Sequence, residues 1–65
     1  MNKHLTFECR GRGLSKQIDE TTGKMISFIA DKSLISHTMI TEWISSGDGY
    51  WVVIISIVYQ DKISE

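Results

Sequence analysis

A chain of 65 residues is long enough for one small domain and no more. Its seven Lys and Arg residues against eight Asp and Glu residues leave a net charge of −1, which excludes a generally basic nucleic-acid-binding surface and an acidic tail. Hydrophobic residues make up 42% of the chain and charged residues 23%, a composition typical of a globular protein rather than a disordered one.

A domain of this size has a small core and usually needs a further source of stability. The single Cys9 cannot form a disulfide within the chain, and one cysteine with two histidines is too few for a four-ligand zinc site. Self-association remains, so we expect residues 1–65 to form one small oligomerising domain without a metal or cofactor. Cys9 also suits a reducing compartment, and the N-terminus lacks the apolar run of a signal peptide, which together predict a cytoplasmic protein.

The first predicted element is a strand over residues 4–10. Leu5, Phe7 and Cys9 alternate with polar residues, which is the period-2 pattern of a strand with one apolar face. On that face Cys9 is predicted to be a small buried hydrophobic residue rather than a nucleophile. The glycines at positions 11 and 13 then end the strand.

A helix is predicted near residues 14–31. Ser15 is its candidate N-cap, and an early position for Asp19 and Glu20 with Lys32 at the end would suit the helix dipole. An apolar stripe recurs at steps of three or four residues, as on one face of a helix. The stripe consists of Leu14, Ile18, Thr22, Met25 and Ile29.

Two further strands joined by a hairpin loop complete the predicted domain. Residues 34–44 are rich in β-branched and aromatic side chains, and residues 50–60 are nearly all apolar. The intervening loop, residues 45–49, contains two glycines, as hairpin loops often do. The predicted fold class is α+β in β-α-β-β order, with one helix packed on a three-stranded antiparallel sheet. The apolar run is too short to span a bilayer as a helix, which needs about 20 residues.

Both faces of the last predicted strand are apolar, but a single helix covers only one face of a small sheet. The other face would meet water in a monomer, and an apolar patch of that kind usually marks an interface. The alternative is a central strand that is only modestly exposed. The predicted oligomer interface consists of Ile40, Ile44, Val52, Ile54 and Val58.

The turn from the first strand to the helix is the first candidate ligand site. It combines three cations and two glycines just before the first helical turn, where free backbone N–H groups and the helix dipole favour anions. The pattern is neither a Walker loop nor G-x-G-x-x-G, and the alternative is a solvated turn whose arginines pair with nearby acids. The predicted ligand-binding residues of the turn are Arg10, Gly11, Arg12, Gly13, Ser15 and Lys16.

Aromatic side chains of the hairpin are the second candidate. Trp43 and Tyr50 flank the loop, and an aromatic side chain beside cations can stack a nucleotide base or a flavin ring. The alternative is packing in the core or at an interface. His37, in the middle of its strand on a mostly apolar face, is predicted to be a satisfied interior or interface histidine. The sequence has no paired-carboxylate, Ser/His/Asp or Cys/His arrangement, so an enzyme is not expected.

The order strand, helix, strand, hairpin loop and strand in 65 residues resembles the dodecins, which are small β-α-β-β flavin-storage proteins that assemble as closed oligomeric shells. It also looks like other tiny β-α-β-β proteins of bacteria and their phages. The resemblance implies a helix on one sheet face, with the other face closed by neighbouring copies. In dodecins a tryptophan early in the second strand stacks on the flavin. Here Ile35, Ser36 and His37 occupy the early positions and Trp43 lies near the end of the strand.

The sequence therefore favours a non-catalytic homo-oligomer that stores or sequesters a small anionic ligand such as a nucleotide. The turn would hold the phosphate, and Trp43 or Tyr50 would stack the base. The alternative is a protein–protein interaction module, an inhibitor or adaptor, that docks a partner through its apolar hairpin, for example by edge-strand addition. Neither function involves a membrane or an extended nucleic acid.

Overall fold

The computed structural model describes residues 1–62 and contains three strands and one helix in β-α-β-β order. Strand β1 spans Lys3–Gly11, helix α1 spans Leu14–Ile29, strand β2 spans Lys32–Ile44 and strand β3 spans Tyr50–Asp61. The predicted α+β class and all four predicted elements are confirmed, and each boundary lies within two residues of its predicted position.

The last strand in the sequence is the central strand of the sheet. The strands are in the order β1-β3-β2, and both neighbouring pairs are antiparallel. Because a central strand has neighbours on both sides, its side chains are flanked on both faces, which suits the two apolar faces of β3. In β2 the register shifts between Leu34 and Ser36, so Ile35 has no opposite residue on β3.

Helix α1 covers β1 and β3 and makes few contacts with β2. Phe28 packs edge-to-face on Phe7 of β1, with ring centroids 5.9 Å apart, and on Tyr59 of β3, with centroids 5.0 Å apart. The fully buried Thr21 donates a hydrogen bond from its hydroxyl to the carbonyl of Gln17 at 2.6 Å, so burial leaves its hydroxyl satisfied. We call the side of the sheet under α1 the helix face and the other side the open face. The buried hydrophobic residues of the helix face are Cys9, Val53, Ile55 and Ile57.

Helix α1 begins at Leu14, as predicted, but its N-cap and end charges differ from the prediction. Its N-cap is Gly13, in an extended conformation, rather than Ser15, because the first helical hydrogen bond already runs from the Gln17 N–H to the Gly13 carbonyl at 3.0 Å. The predicted match of charges to the helix dipole is also wrong. The first turn has no acidic residue and the last turn no basic one, since Asp19 lies beyond the first turn and Lys32 belongs to β2.

The molecule is long and thin, with principal extents of 52 × 17 × 12 Å. Its radius of gyration is 13.8 Å, whereas a compact chain of this length has about 11 Å. Within residues 1–62, five hydrophobic residues are buried, and no helix of this part of the chain has the length and hydropathy to cross a membrane. The small core follows from the helix covering two of the three strands.

Candidate functional site

The strand-to-helix turn and the hairpin loop lie at the same end of the sheet. Gly11, the last residue of β1, is opposite Trp51 at the start of β3, and Trp51 is opposite Trp43 on β2. An ion pair joins the two segments, because Nη2 of Arg12 donates a hydrogen bond to the carboxylate of Asp48 at 2.5 Å. The structure therefore brings together the two regions that the sequence analysis proposed for one ligand. We call this region the loop end.

Both arginines of the turn are paired with carboxylates, as the alternative interpretation of the turn expected. Nε of Arg10 donates to the carboxylate of Glu8 at 2.7 Å, and this hydrogen bond raises the pKa of Arg10 above its ordinary value. The side chains of both pairs are largely exposed. Exposed ion pairs contribute little to stability, so an incoming anion competes with Asp48 for Arg12 at little cost.

The sheet separates the predicted ligand residues onto two faces. Trp43 shares the helix face with Trp51, whereas Tyr50, the neighbour of Trp51 in the chain, belongs to the open face. Arg10 is also on the open face, since it lies opposite Val52. Trp43 and Tyr50 therefore cannot stack on the same base within one chain, and Arg10 is on the opposite face from Trp43.

The N-terminus of α1 is open. Gly13 supplies no capping side chain, and the N–H groups of the first turn, which precede Gln17, have no partner within the helix. The exposed residues Ser15 and Lys16 lie in this turn. Such an end favours an anion through its free N–H groups and the helix dipole.

Gly11 has a packing role that the sequence analysis did not find. A Cβ at this position would overlap the side-chain amide of Gln17, which is buried against the turn. The absence of a side chain at Gly11 thus lets the helix approach β1 closely. A buried glutamine one turn into a helix is a weak sequence signal, because glutamine is usually exposed.

Trp43 also contributes to the packing of the hairpin. Its ring makes an edge contact with Trp51, with centroids 5.4 Å apart, and lies directly over Gly49. Gly49 has φ of +85°, a left-handed conformation that glycine adopts at little cost. Trp43 therefore covers the hairpin loop while leaving part of its indole exposed.

Strand β2 carries most of the exposed large hydrophobic side chains in residues 1–62. Ile35 is 48% exposed, Met39 49%, Ile40 57% and Trp43 47%, and the two others outside this strand are Met1 and Ile26. Met39 and Trp43 lie on the helix face and Ile40 on the open face. The helix face of β2 is exposed because α1 packs mainly on the other two strands, and no element within residues 1–62 covers its open face.

Strand β2 also has an unpaired edge, because it lies at one side of the sheet. Natural proteins usually protect such edges with charges, prolines or very short strands. The opposite edge strand, β1, carries Lys3, Glu8 and Arg10. By contrast, β2 is 13 residues long and has no Asp, Glu, Lys, Arg or Pro between Lys32 and Glu42. The sequence predicted edge-strand addition through the hairpin as an alternative function but did not identify β2 as the open edge, although its uncharged run was a signal for it.

The residues predicted for an oligomer interface differ in exposure within one chain. Val52 is buried, and Ile44, Ile54 and Val58 are partly buried, because side chains of both outer strands flank the central strand. Ile40 on the outer strand β2 is the most exposed of the five.

His37, in the middle of β2, is exposed. The interior alternative predicted for it is therefore wrong, because α1 does not cover this strand. Cys9, in contrast, is a buried free cysteine, as predicted.

The described part of the chain, residues 1–62, has no pocket and no group of three or more His, Cys, Asp or Glu residues placed to hold a metal ion. Comparison of the chain with protein-family models, with curated proteins and with solved structures found no match. The loop end and strand β2 are the two candidate functional surfaces of the described residues.

Proposed function

We propose that this protein is a non-catalytic protein-interaction module that accepts an extended strand of a partner polypeptide along the open edge of β2. The observation that carries the proposal is the combination of an unpaired 13-residue edge, an uncharged interior and exposed hydrophobic side chains on both faces of one strand. In strand addition, main-chain hydrogen bonds supply affinity and the alternating side chains supply specificity.

The geometry of β2 suits this mode of binding. Thirteen residues at about 3.3 Å each give an edge of roughly 40 Å. Met39 and Trp43 would contact alternate side chains of the added strand on the helix face, and Ile40 would do so on the open face. A partner strand with hydrophobic side chains on both faces fits this pattern.

A labelled peptide with the sequence of residues 32–44 is a direct probe of strand addition, to be followed by fluorescence anisotropy. We expect saturable binding to the wild-type protein and strong loss of binding in Met39→Lys, since the substitution places a charge in the middle of the open strand. Ile26→Lys is the matched control, because Ile26 is an equally exposed hydrophobic residue on α1 rather than on β2. Absence of peptide binding to a protein that light scattering shows to be monomeric would overturn the proposal.

A second function, storage or sequestration of a small anionic ligand such as a nucleotide, is favoured by the open N-terminus of α1 beside Arg12 and Lys16. Trp43 is the aromatic candidate that shares the helix face with this end. Trp43 lies two strands away from Gly11, a backbone distance of about 10 Å, which suits a ligand with its phosphate at the turn and its base on the indole.

Titration calorimetry with a nucleoside diphosphate tests this second function. If the turn holds the phosphate, Arg12→Ala weakens binding by about 1.5–3 kcal/mol, the range for hydrogen bonds to charged groups. Lys24→Ala, which removes an exposed cation further along the same helix, serves as the control and leaves the affinity nearly unchanged. Equal affinities for wild type and Arg12→Ala would exclude the turn as the phosphate site.

A further inference from the structure

We propose that β2 pairs with β2 of a second copy of this chain, antiparallel and about a two-fold axis at Met39. The two sheets then form one six-stranded sheet of order β1-β3-β2-β2-β3-β1, with both helices on the same side. This inference rests on the proposed function of β2 as a strand-accepting edge and names a second copy as the partner.

The small core of the single chain is the first reason to choose a second copy. Five hydrophobic residues are buried within residues 1–62, and the radius of gyration of 13.8 Å exceeds the value of about 11 Å for a compact chain of this length. Domains of this size usually gain stability from disulfides, metals or association. Cys9 is free, and residues 1–62 contain no metal-binding group of side chains. Association with a second copy through the β2 edge is therefore the source of additional stability that remains.

The exposed hydrophobic area on β2 supplies about half of what a stable dimer interface buries. Large side chains present roughly 150–250 Å² each, so the four exposed hydrophobic residues of β2, each about half exposed, leave on the order of 400 Å² uncovered per chain. Two copies bring together about 800 Å² of apolar surface, where stable interfaces bury about 1,200–2,000 Å² in total. The backbone edges and the polar side chains of two long strands add to the apolar part.

A two-fold axis at Met39 places hydrophobic residues of the helix face opposite one another across the new strand pair, while Ile40 on the open face lies opposite Thr38. Residues directly opposite in an antiparallel pair share a face, and the register of β2 on β3, including the shift at Ile35, gives the position of each residue along the strand. Met39 then faces Met39 of the second copy, and Leu34 faces Trp43, all on the helix face. On the open face Glu42 faces Ser36 and not a second carboxylate.

The neighbouring register is less favourable. An axis at Thr38 would place Leu34 opposite Thr41 and Lys32 opposite Trp43, and would separate Met39 from its counterpart. Hydrophobic side chains would then lie opposite polar or charged ones. On the helix face, the Met39 register therefore places hydrophobic side chains opposite one another, whereas the Thr38 register does not.

A disulfide test locates the axis. In a Cys9→Ala background, Met39→Cys places two sulfurs directly opposite each other at the axis, where Cα separations of about 4.5–5.5 Å permit a disulfide. Thr41→Cys is the matched control on the same face. In the Met39 register its two copies lie four residues apart, about 13 Å, which is too far for a disulfide. We expect a covalent dimer from Met39→Cys under mild oxidation and little from Thr41→Cys, with circular dichroism confirming that both are folded.

Light scattering over a range of protein concentrations supplies the second measurement. Met39→Lys should weaken dimerisation roughly a hundredfold, because it opposes two ammonium groups at the axis, and Ile26→Lys should not weaken it. A dimer whose Met39→Cys variant does not crosslink faster than Thr41→Cys overturns the inference. A wild-type protein that stays monomeric but binds the β2 peptide also overturns it, while leaving the proposed function intact. A monomer that does not bind the peptide overturns both.

Discussion

At the scale of single residues, two glycines allow close packing at the loop end because they have no side chain. Gly11 leaves room for the side-chain amide of Gln17, and Gly49 leaves room for the ring of Trp43. Packing alone therefore explains why glycine occupies both positions, without a bound ligand. The glycines that suggested a phosphate-binding turn therefore include at least one, Gly11, whose role is explained by the packing of the helix on β1.

The contact between Gly49 and Trp43 gives a prediction for stability. Gly49→Ala would force a Cβ into the indole ring and place alanine at φ of +85°. Gly47→Ala, with φ of +63° and open space around the added Cβ, carries the backbone cost alone, about 1–2 kcal/mol. We expect Gly49→Ala to lower the free energy of unfolding by about 1–3 kcal/mol more than Gly47→Ala does, the range typical of overpacking. Urea denaturation followed by tryptophan fluorescence measures both, and equal losses would mean that Trp43 moves freely.

At the scale of elements, the two edge strands of the sheet differ in how well they are protected from pairing with another strand. Strand β1 lies under α1 and carries charged side chains along its length, whereas β2 makes few contacts with α1 and has no Asp, Glu, Lys or Arg between Lys32 and Glu42. The end of the sheet remote from the loop end is also tied by charge, since Nζ of Lys3 on β1 lies 2.6 Å from the carboxylate of Asp61 on β3. The pairing of β1 with β3 is thus reinforced by the packing of α1 and by this ion pair. The pairing of β2 with β3 depends mainly on the hydrogen bonds and side-chain contacts between the two strands.

The Lys3–Asp61 pair gives a prediction for pH dependence. The hydrogen bond from Lys3 holds the pKa of Asp61 below its ordinary value of 3.8. The pair therefore stabilises the fold above that ordinary value, and its contribution is lost as the pH falls through the lower, folded-state pKa. We expect Asp61→Asn to be slightly less stable than wild type at neutral pH and equally stable at strongly acidic pH.

Thermal unfolding across the acid range measures this difference. In a Lys3→Met background Asp61→Asn should have almost no effect, because the partner that lowers the pKa is gone. A stability difference between wild type and Asp61→Asn that persists unchanged at strongly acidic pH would show that the ion pair is not its cause.

At the scale of the whole molecule, one helix does not cover all three strands. The axes of three neighbouring strands already span about 10 Å, the diameter of an α-helix, and the side chains at the edges make the sheet wider than the helix. The helix lies over β1 and β3, so the third strand extends beyond the two-layer part of the fold. Both the proposed strand-binding function and the proposed dimer are consequences of this incomplete coverage.

Much of the fold could be predicted because local periodicity is written directly in the sequence. The alternation of Leu5, Phe7 and Cys9 with polar residues predicted β1, and the stripe beginning at Leu14 predicted α1. The start of the helix at Leu14 was predicted, but its N-cap was not, because Ser15 is a better capping residue by type than Gly13. The candidate site was only partly predictable, since the turn and the hairpin loop do lie together but Trp43 and Tyr50 lie on opposite faces.

The amino-acid sequence by itself determined which segments form strands and which forms a helix, and it marked residues 50–60 as a strand with two apolar faces. These are properties of neighbouring residues, set by side-chain spacing and backbone propensity. Only the tertiary structure decided that β3 is central, that α1 lies over β1 and β3, and that Met39, Ile40 and Trp43 remain exposed. The two apolar faces of residues 50–60 left open both a central strand and an exposed interface, because strand order and helix placement depend on which distant segments pack best together.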